Sequence, residues 1–486
     1  MNKIIFLLFF LIFVIYLINT SKKKKEKFNN NQNSNIFNSG VVLIKVKSQD
    51  INFERPWSKG DIIEGSGSGF FISPTNILTN FHVIANYVEI LISIPFLGNK
   101  LYNAEVVMYN NLLDIAELKI KDFKSKFWFN LNNSIIGKLQ DVTLGIGYPL
   151  GEESIKITEG NINGHFMGDI QTDTTINPGN SGGPLVLKGS NKVVGINYAG
   201  LGGGLQNINF AIPIDYVNNF RKLNLQGIKQ PLFLGLKYVN TSPILMEDII
   251  KMKTPYDSGI TISEIFSKSN LNKTDIKAED IICQITFNGK NYNISNTGEI
   301  VYNTKKINIK DIYKINSEKQ ISIYYLSKNN SNYTKKISLN VDLDNSDIVP
   351  LKFINYPFDD VKYIILGGLI IMELSLNHIL YYPELIMINN INTDKKYLII
   401  TSKIPTNNTI DKYNIINFPV IISKINGKNI NTITDLNKYL NDNNISKNEF
   451  LKILLIDNTL LIEKQNIVNK NNNYIENELN IILKKV

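Results

Sequence analysis

The chain has 486 residues, 43% hydrophobic and 10% aromatic against 20% charged, too long for one ordinary domain and too apolar for a disordered protein. Its net charge of +9 does not imply a nucleic-acid partner, because six lysines and one glutamate among the first 30 residues supply five of those charges and the rest are thinly spread. A single cysteine, Cys283, excludes intramolecular disulfides, so the fold must rest on its cores.

Ile4 to Ile18 is an unbroken apolar run, about 22 Å long as a helix and short of a ~30 Å hydrocarbon core. With Asn19 to Ser21 and snorkelling of Lys22 to Lys25, residues 1–30 read as an uncleaved single-pass membrane anchor with a basic flank. A cleaved signal peptide, whose apolar region has this length, is the alternative, although no small-x-small site precedes the lysines. The lysines follow the run, which by the positive-inside tendency favours the cytosolic side for the body of the chain. The side and the compartment stay open. Residues 19 to about 35 read as a solvated tether.

From Val41 onward, short β-rich runs alternate with Gly, Asn and Pro: Val41 to Val46, Phe70 to Ile72, Val88 to Ile94, Val142 to Ile146 and Val193 to Ile196 are predicted strands. Within them, three segments follow in the order His, Asp, Ser. The first is Gly65-Ser66-Gly67-Ser68-Gly69-Phe70, followed by Thr79-Asn80-Phe81-His82-Val83-Ile84. A lone histidine after a strand is more often packing than catalysis, but the chain holds only three. The second is Leu113-Asp114-Ile115-Ala116-Glu117-Leu118-Lys119, where a carboxylate interrupts an apolar stretch; alone, it would read as a turn residue. The third, Asn177-Pro178-Gly179-Asn180-Ser181-Gly182-Gly183-Pro184-Leu185, is the most specific, because glycines around a serine let the backbone turn sharply and aim amides into one concavity.

Together with Gly147-Tyr148-Pro149-Leu150-Gly151, Thr158-Glu159-Gly160, Asn209-Phe210-Ala211-Ile212-Pro213 and Arg55-Pro56-Trp57, these strings resemble the HtrA/Deg family of trypsin-like serine proteases over about Val41 to Val217. The resemblance implies a mainly β fold with a double β-barrel protease domain over residues 31–222 and a serine-type endopeptidase that uses neither ATP nor a cofactor. In that reading His82 is the general base, Asp114 orients it, Ser181 is the nucleophile, and the amides of Gly179 and Ser181 form the oxyanion hole. No metal is expected, since neither His165 nor His378 has a second His or Cys at ligand spacing. Thr175, six residues before the nucleophile, stands where trypsin-like enzymes keep the base of the specificity pocket. With Ile196, Asn197 and Tyr198 as walls, it implies small to medium aliphatic side chains.

Residues 222–231 read as a linker. Beyond it, the Phe233-Leu234-Gly235-Leu236 loop, Gly259 to Ile265, Glu279 to Ile285 and Phe287 to Lys290 resemble a PDZ domain over residues 231–346, able to take C-terminal peptides by β-augmentation. It departs from the pattern at Glu279, where a glycine is usual, and at Ser267-Lys268-Ser269. Residues 350–486, with Tyr363 to Ile370, Ile421 to Ile430 and an amphipathic helix at Ile433 to Leu440, resemble the degenerate second PDZ-like domain of plant-type Deg proteases. Ile364 to Met372 is too short and Gly-broken for a second membrane span. Protein substrates and a homo-oligomer, trimeric by resemblance, are the expected partners. The alternative function is a protease-fold chaperone or peptide-binding scaffold.

Overall fold

A computed structural model describes residues 36–200, 208–223, 234–251, 256–266, 268–303, 305–335, 338–342, 351–387, 395–406, 416–442 and 449–486. The anchor expected at residues 4–18 lies outside the described residues. Among the described residues no helix is long and apolar enough to cross a membrane.

Twelve strands close into two six-stranded barrels. The first barrel comprises β1 (Val41–Ile51), β2 (Lys59–Phe71), β3 (Asn76–Thr79), β4 (Tyr87–Ser93), β5 (Leu101–Asn110) and β6 (Ile115–Ile120), ordered β1-β2-β3-β6-β5-β4. The second comprises β7 (Val142–Gly147), β8 (Lys156–Phe166), β9 (Asp169–Thr172), β10 (Pro184–Leu187), β11 (Val193–Gly200) and β12 (Asn209–Pro213), ordered β10-β11-β12-β9-β8-β7. All five runs predicted as strands are strands. Closure removes the free edges that such β-branched runs would otherwise expose. Helix α1 (Ile214–Lys222) then packs Tyr216, Val217 and Phe220 into the core. It is also pinned through Arg221, whose Nε donates to Glu117 Oε2 at 3.0 Å. Asn76 Nδ2 donates to the other oxygen of that buried carboxylate at 2.6 Å.

Residues 234–342 build a second kind of sheet. Its main path is β13 (Leu236–Asn240), β14 (Ile260–Ile265), β15 (Ile281–Phe287), β19 (Gln320–Asn329) and β20 (Asn332–Lys335). Strands β16 (Lys290–Asn293) and β21 (Leu339–Asp342) pair with β15 and β19, and β17 (Glu299–Tyr302) with β18 (Lys305–Asn308) forms a separate hairpin. This region shares one compact unit with the barrels: of the described residues, that unit takes in those up to Lys47, Glu64–Ile84 and those from Glu89 through 342.

The second unit comprises Ser48–Ile63, Ala85–Val88 and Asp347–Val486. Its seven-stranded antiparallel sheet has the order β27-β26-β25-β24-β23-β22-β28, from β22 (Tyr363–Leu366), β23 (Leu369–Glu373), β24 (Leu398–Lys403), β25 (Val420–Ile425), β26 (Phe450–Leu455), β27 (Leu460–Lys464) and β28 (Lys484–Lys485). One face is covered by Ile433 and Leu436 of helix α2 (Ile433–Leu440), which Thr432 caps, and by Val468. The other packs against Phe53, Leu385 and Ile475. Burial on both faces is why Ile364 to Met372 reads as a continuous apolar run instead of an alternating one. Gly367 and Gly368, at φ 63° and 100°, turn that run into a hairpin.

The tip of the β1–β2 hairpin belongs to this second unit although it lies inside the expected protease stretch. Its Phe53 ring sits 4.4 Å from that of His378, and Trp57 lies 6.0 Å from Tyr363. His378 is fully buried. Its Nδ1 accepts the Ser375 backbone N–H at 3.1 Å, so the ring proton is on Nε2, which has no partner among the described residues. Burial lowers its pKa to about 3. The unfolded chain, with an ordinary histidine near 6.5, therefore takes up the proton first as pH falls. The stability from His378 is complete above about pH 6.5 and is lost progressively toward pH 3, by about 1.4 kcal/mol per pH unit. In a Trp128→Phe background, Trp57 fluorescence should show a urea midpoint that falls between pH 7 and 4.5. His378→Leu should flatten that dependence; equal slopes in the two chains would contradict the assignment.

Candidate active site

His82 opens a 3₁₀ turn, His82–Ile84, just after β3. Asp114 holds it twice: Oδ1 accepts the His82 backbone N–H at 2.8 Å, and Oδ2 lies 2.7 Å from Nδ1. The carboxylate is aimed by an unusual backbone. Asp114 sits at φ 53°, a left-handed conformation that Asp tolerates better than most side chains. Two contacts hold it there. Asn110 Oδ1 accepts the amides of Leu112 and Leu113, both at 3.0 Å, and the fully buried Asn80 donates from Nδ2 to the Asp114 carbonyl at 2.9 Å.

Ser181 follows a tight turn in which the Asn180 amide donates to the Asn177 carbonyl at 2.9 Å. Proline at the second position and glycine at φ 98° at the third are the signature of a type II turn. A Cβ on Gly179 would lie 2.5 Å from the Leu150 nitrogen and 2.6 Å from the Tyr148 oxygen, so no other residue fits. The Pro178 carbonyl accepts the Leu150 amide at 2.8 Å. In a planar trans peptide the Gly179 N–H then faces the opposite way. The amides of Gly179 and Ser181 donate to no protein acceptor among the described residues. Two free donors beside a serine are what an oxyanion requires.

The serine hydroxyl itself donates to the Tyr198 carbonyl at 3.1 Å, and no hydrogen bond among the described residues joins it to His82. The three residues expected at the centre thus form one tied pair, His82 and Asp114, and a nucleophile whose hydroxyl is held by β11.

Ser68 is a positioning residue that sequence reading passed over, although its string was singled out. It is fully buried. Its hydroxyl donates to the Gly179 carbonyl at 2.6 Å and accepts the Tyr148 amide at 2.8 Å. Its own amide donates to the Ser181 carbonyl at 2.8 Å, and its carbonyl accepts the Thr79 hydroxyl at 2.7 Å. One residue of the first barrel thereby fixes the nucleophile turn of the second.

Residues 67–196 match the family of the trypsin-like peptidase domain. The putative protease Do-like 13 of Arabidopsis thaliana is 36% identical over 195 residues, covering 37% of this chain and 39% of that protein. The serine protease Do-like HtrA of Bacillus subtilis is 31% identical over 276 residues, 51% of this chain and 60% of its own length. Residues 67–196 are a trypsin-like peptidase domain similar to those of HtrA/Deg proteases. The putative mitochondrial protease Do-like 3 of Arabidopsis thaliana extends the likeness to 358 residues at 27% identity, 70% of this chain and 61% of that protein. The chain spans between 39 and 61% of the length of these three relatives.

In this trypsin-like peptidase domain the residues expected to line the specificity pocket are not equivalent. Thr175 is exposed, and its carbonyl accepts the Thr158 hydroxyl at 2.8 Å. Ile196 is fully buried in the main core, and Asn197, also fully buried, donates from Nδ2 to the Pro184 carbonyl at 3.3 Å. Only Tyr198 of the three walls stands beside Ser181. Of the apolar loop after the linker, Phe233 lies outside the described residues. Leu234 and Leu236 are in the core, and Gly235, at φ 74°, accepts the Phe266 amide at 3.0 Å.

Replacing Gly179 by alanine should reduce peptide hydrolysis by about 10²- to 10³-fold, the usual cost of one oxyanion donor. Ser68→Ala leaves the Tyr148 amide and Gly179 carbonyl short of a partner, and should slow fluorophosphonate labelling of Ser181 about tenfold or more with the circular dichroism spectrum unchanged. Labelling of Ser68→Ala at the wild-type rate would remove it from the site.

Proposed function

We propose that the chain is an ATP-independent serine endopeptidase of the HtrA/Deg type, cleaving protein substrates through an acyl-enzyme on Ser181 in protein quality control or processing. The observation that carries this reading is the pair of unspent amides at Gly179 and Ser181, in a domain whose His82 is already tied to Asp114.

The chemistry follows from the proton positions. With Nδ1–H donating to Asp114, Nε2 keeps its lone pair and can act as base. The Ser181 hydroxyl turns from the Tyr198 carbonyl toward Nε2 and attacks the scissile carbonyl, and His82 takes its proton. The developing oxyanion is met by the two amides. His82 then returns the proton to the leaving amine, and water hydrolyses the acyl-enzyme by the same steps in reverse order.

Around this centre we place the remaining roles as proposals. Residues 4–18 anchor the chain in a membrane, and residues 31–222 are the protease domain. Residues 231–346 are a PDZ-like module; its β13 ends the sheet path and offers an edge to which a C-terminal peptide can add. Residues 350–486 are a second PDZ-like module for assembly, in a homo-oligomer such as a trimer. The bond from Ser181 to Tyr198, and not to His82, is what favours the alternative of a peptide-binding scaffold.

Fluorophosphonate labelling and casein cleavage by the full chain decide between the two. Both should occur in the wild type and disappear in Ser181→Ala. A folded wild type that neither labels nor cleaves, with or without C-terminal peptides, would leave the scaffold as the function.

A further inference from the structure

Tyr198 holds its place for a reason that the strand ladder does not supply. In the pairing of β11 with β12, Asn197 faces Ala211 and Ala199 faces Phe210, so Tyr198 is left without a partner in register. A bulged residue of this kind is unpaired and re-aimed. Its carbonyl accepts the Ser181 hydroxyl, and its phenol reaches away from the nucleophile to donate to Asp169 Oδ2 at 3.0 Å. The ring also stacks on Phe210 at 6.2 Å, and Phe210 in turn meets Phe166 at 5.8 Å.

Asp169 is itself set firmly. It starts β9 directly after a two-residue turn, Met167 and Gly168 at φ 50° and 91°, with Phe166 facing Asp169 in register. The Gly168 carbonyl accepts the Tyr216 phenol at 2.8 Å, and the Met167 carbonyl accepts Lys314 Nζ at 3.2 Å. Burial pushes the Asp169 carboxyl above the usual carboxylate range, opposed by Lys314, by the Tyr198 hydrogen bond and by Lys305, while Asp311 adds to the push. The Tyr198 phenol is the side-chain hydrogen bond that this enclosed carboxylate accepts.

We propose that Asp169 is a positioning residue of the peptidase, which acts through the Tyr198 phenol to hold the bulge of β11 whose carbonyl borders Ser181. This rests on the endopeptidase reading above. In this structure the Ser181 hydroxyl donates to that carbonyl. Once the hydroxyl turns to His82, the carbonyl is a backbone acceptor, freed from the ladder, beside the nucleophile. The substrate amide N–H next to the scissile carbonyl is the donor it suits. Placement of that acceptor to a few tenths of an ångström governs whether an extended peptide lies correctly over Ser181. A small phosphonate that needs no backbone partner is indifferent to it.

The test compares two readouts on the full chain: the rate of fluorophosphonate labelling and kcat/KM for an extended chromogenic peptide. Tyr198→Phe keeps the ring and its stacking but removes the donor. It should lower kcat/KM about tenfold while labelling stays within twofold. Asp169→Ala should give the same loss, the double variant no more than either single one, and Asp169→Asn, which retains an acceptor for the phenol, should recover most of the activity. Peptide turnover of Tyr198→Phe within twofold of wild type overturns the proposal, as does an equal fall in labelling and turnover, which would mark a general disturbance of the site. If Asp169→Ala does not fold, Tyr198→Phe and Asp169→Asn still decide. A wild type that fails to label defeats the endopeptidase reading itself, an outcome distinct from any of these.

Discussion

The site depends on the direction of one peptide bond, that between Pro178 and Gly179. With its carbonyl on the Leu150 amide, the Gly179 N–H is presented as a donor; turned over, the bond would set a carbonyl oxygen where the oxyanion develops, and attraction would become repulsion. Its direction is over-determined. Proline restricts one side and glycine supplies φ 98° on the other. The Ser68 hydroxyl holds the Gly179 carbonyl, and the Tyr148 amide holds that hydroxyl. The strings Gly147 to Gly151, Asn177 to Ser181 and Gly65 to Gly69 are therefore three walls of one device, although each looks like an isolated motif along the chain.

Backbone strain collects in the same place. Asp114 and Leu150 both adopt left-handed conformations, at φ 53° and 56°, which cost non-glycine residues on the order of 1 kcal/mol or more each. In Asp114 the strained backbone aims a carboxylate at both the amide and the ring of His82. In Leu150 it presents the amide that fixes Pro178, while its side chain stays 75% exposed and gains little from burial. Surrounding hydrogen bonds from Asn80 and Ser68 offset such costs, and both of these residues are fully buried.

Much of this was legible in the sequence because tight backbones demand particular residue types. His82, Asp114, Ser181 and Gly179 stood out for that reason, and the β-branched runs marked the barrel strands. What was not legible depends on partners distant in the chain. Asp169 and Tyr198 are 29 residues apart and carry no shared motif. Ser68 reads as one more small residue in a glycine-rich stretch until its four hydrogen bonds are seen. Ile196 and Asn197 follow the pattern of a pocket wall, but both are fully buried, and it is the bulged Tyr198 whose carbonyl borders Ser181. The hairpin tip at Ser48–Ile63 joins the second unit through Phe53 and Trp57, apolar residues that any core could have taken.

Beneath the cleft, buried charge gives the first unit its selectivity of arrangement more than its stability. Lys305 is only 7% exposed. Burial lowers its pKa against the pull of Asp215 and Asp169, and burial likewise raises that of Asp215. The backbone amides of Asp215 and Tyr216 and the charge of Lys305 oppose the burial of the Asp215 carboxylate, so these charges compensate one another through the low-dielectric interior and not through tight pairs. Such an arrangement is a poor source of net stability, because an apolar set of the same volume would avoid the desolvation altogether. Its consequence is interdependence. Lys305 comes from the β17–β18 hairpin and the two carboxylates from the barrel side, so displacing the hairpin would leave Asp215 without its cation and Asp169 with Lys314 alone. The protease barrels and the 234–342 region thereby favour one packing over its near alternatives, and that packing is the one in which Asp169 faces Tyr198.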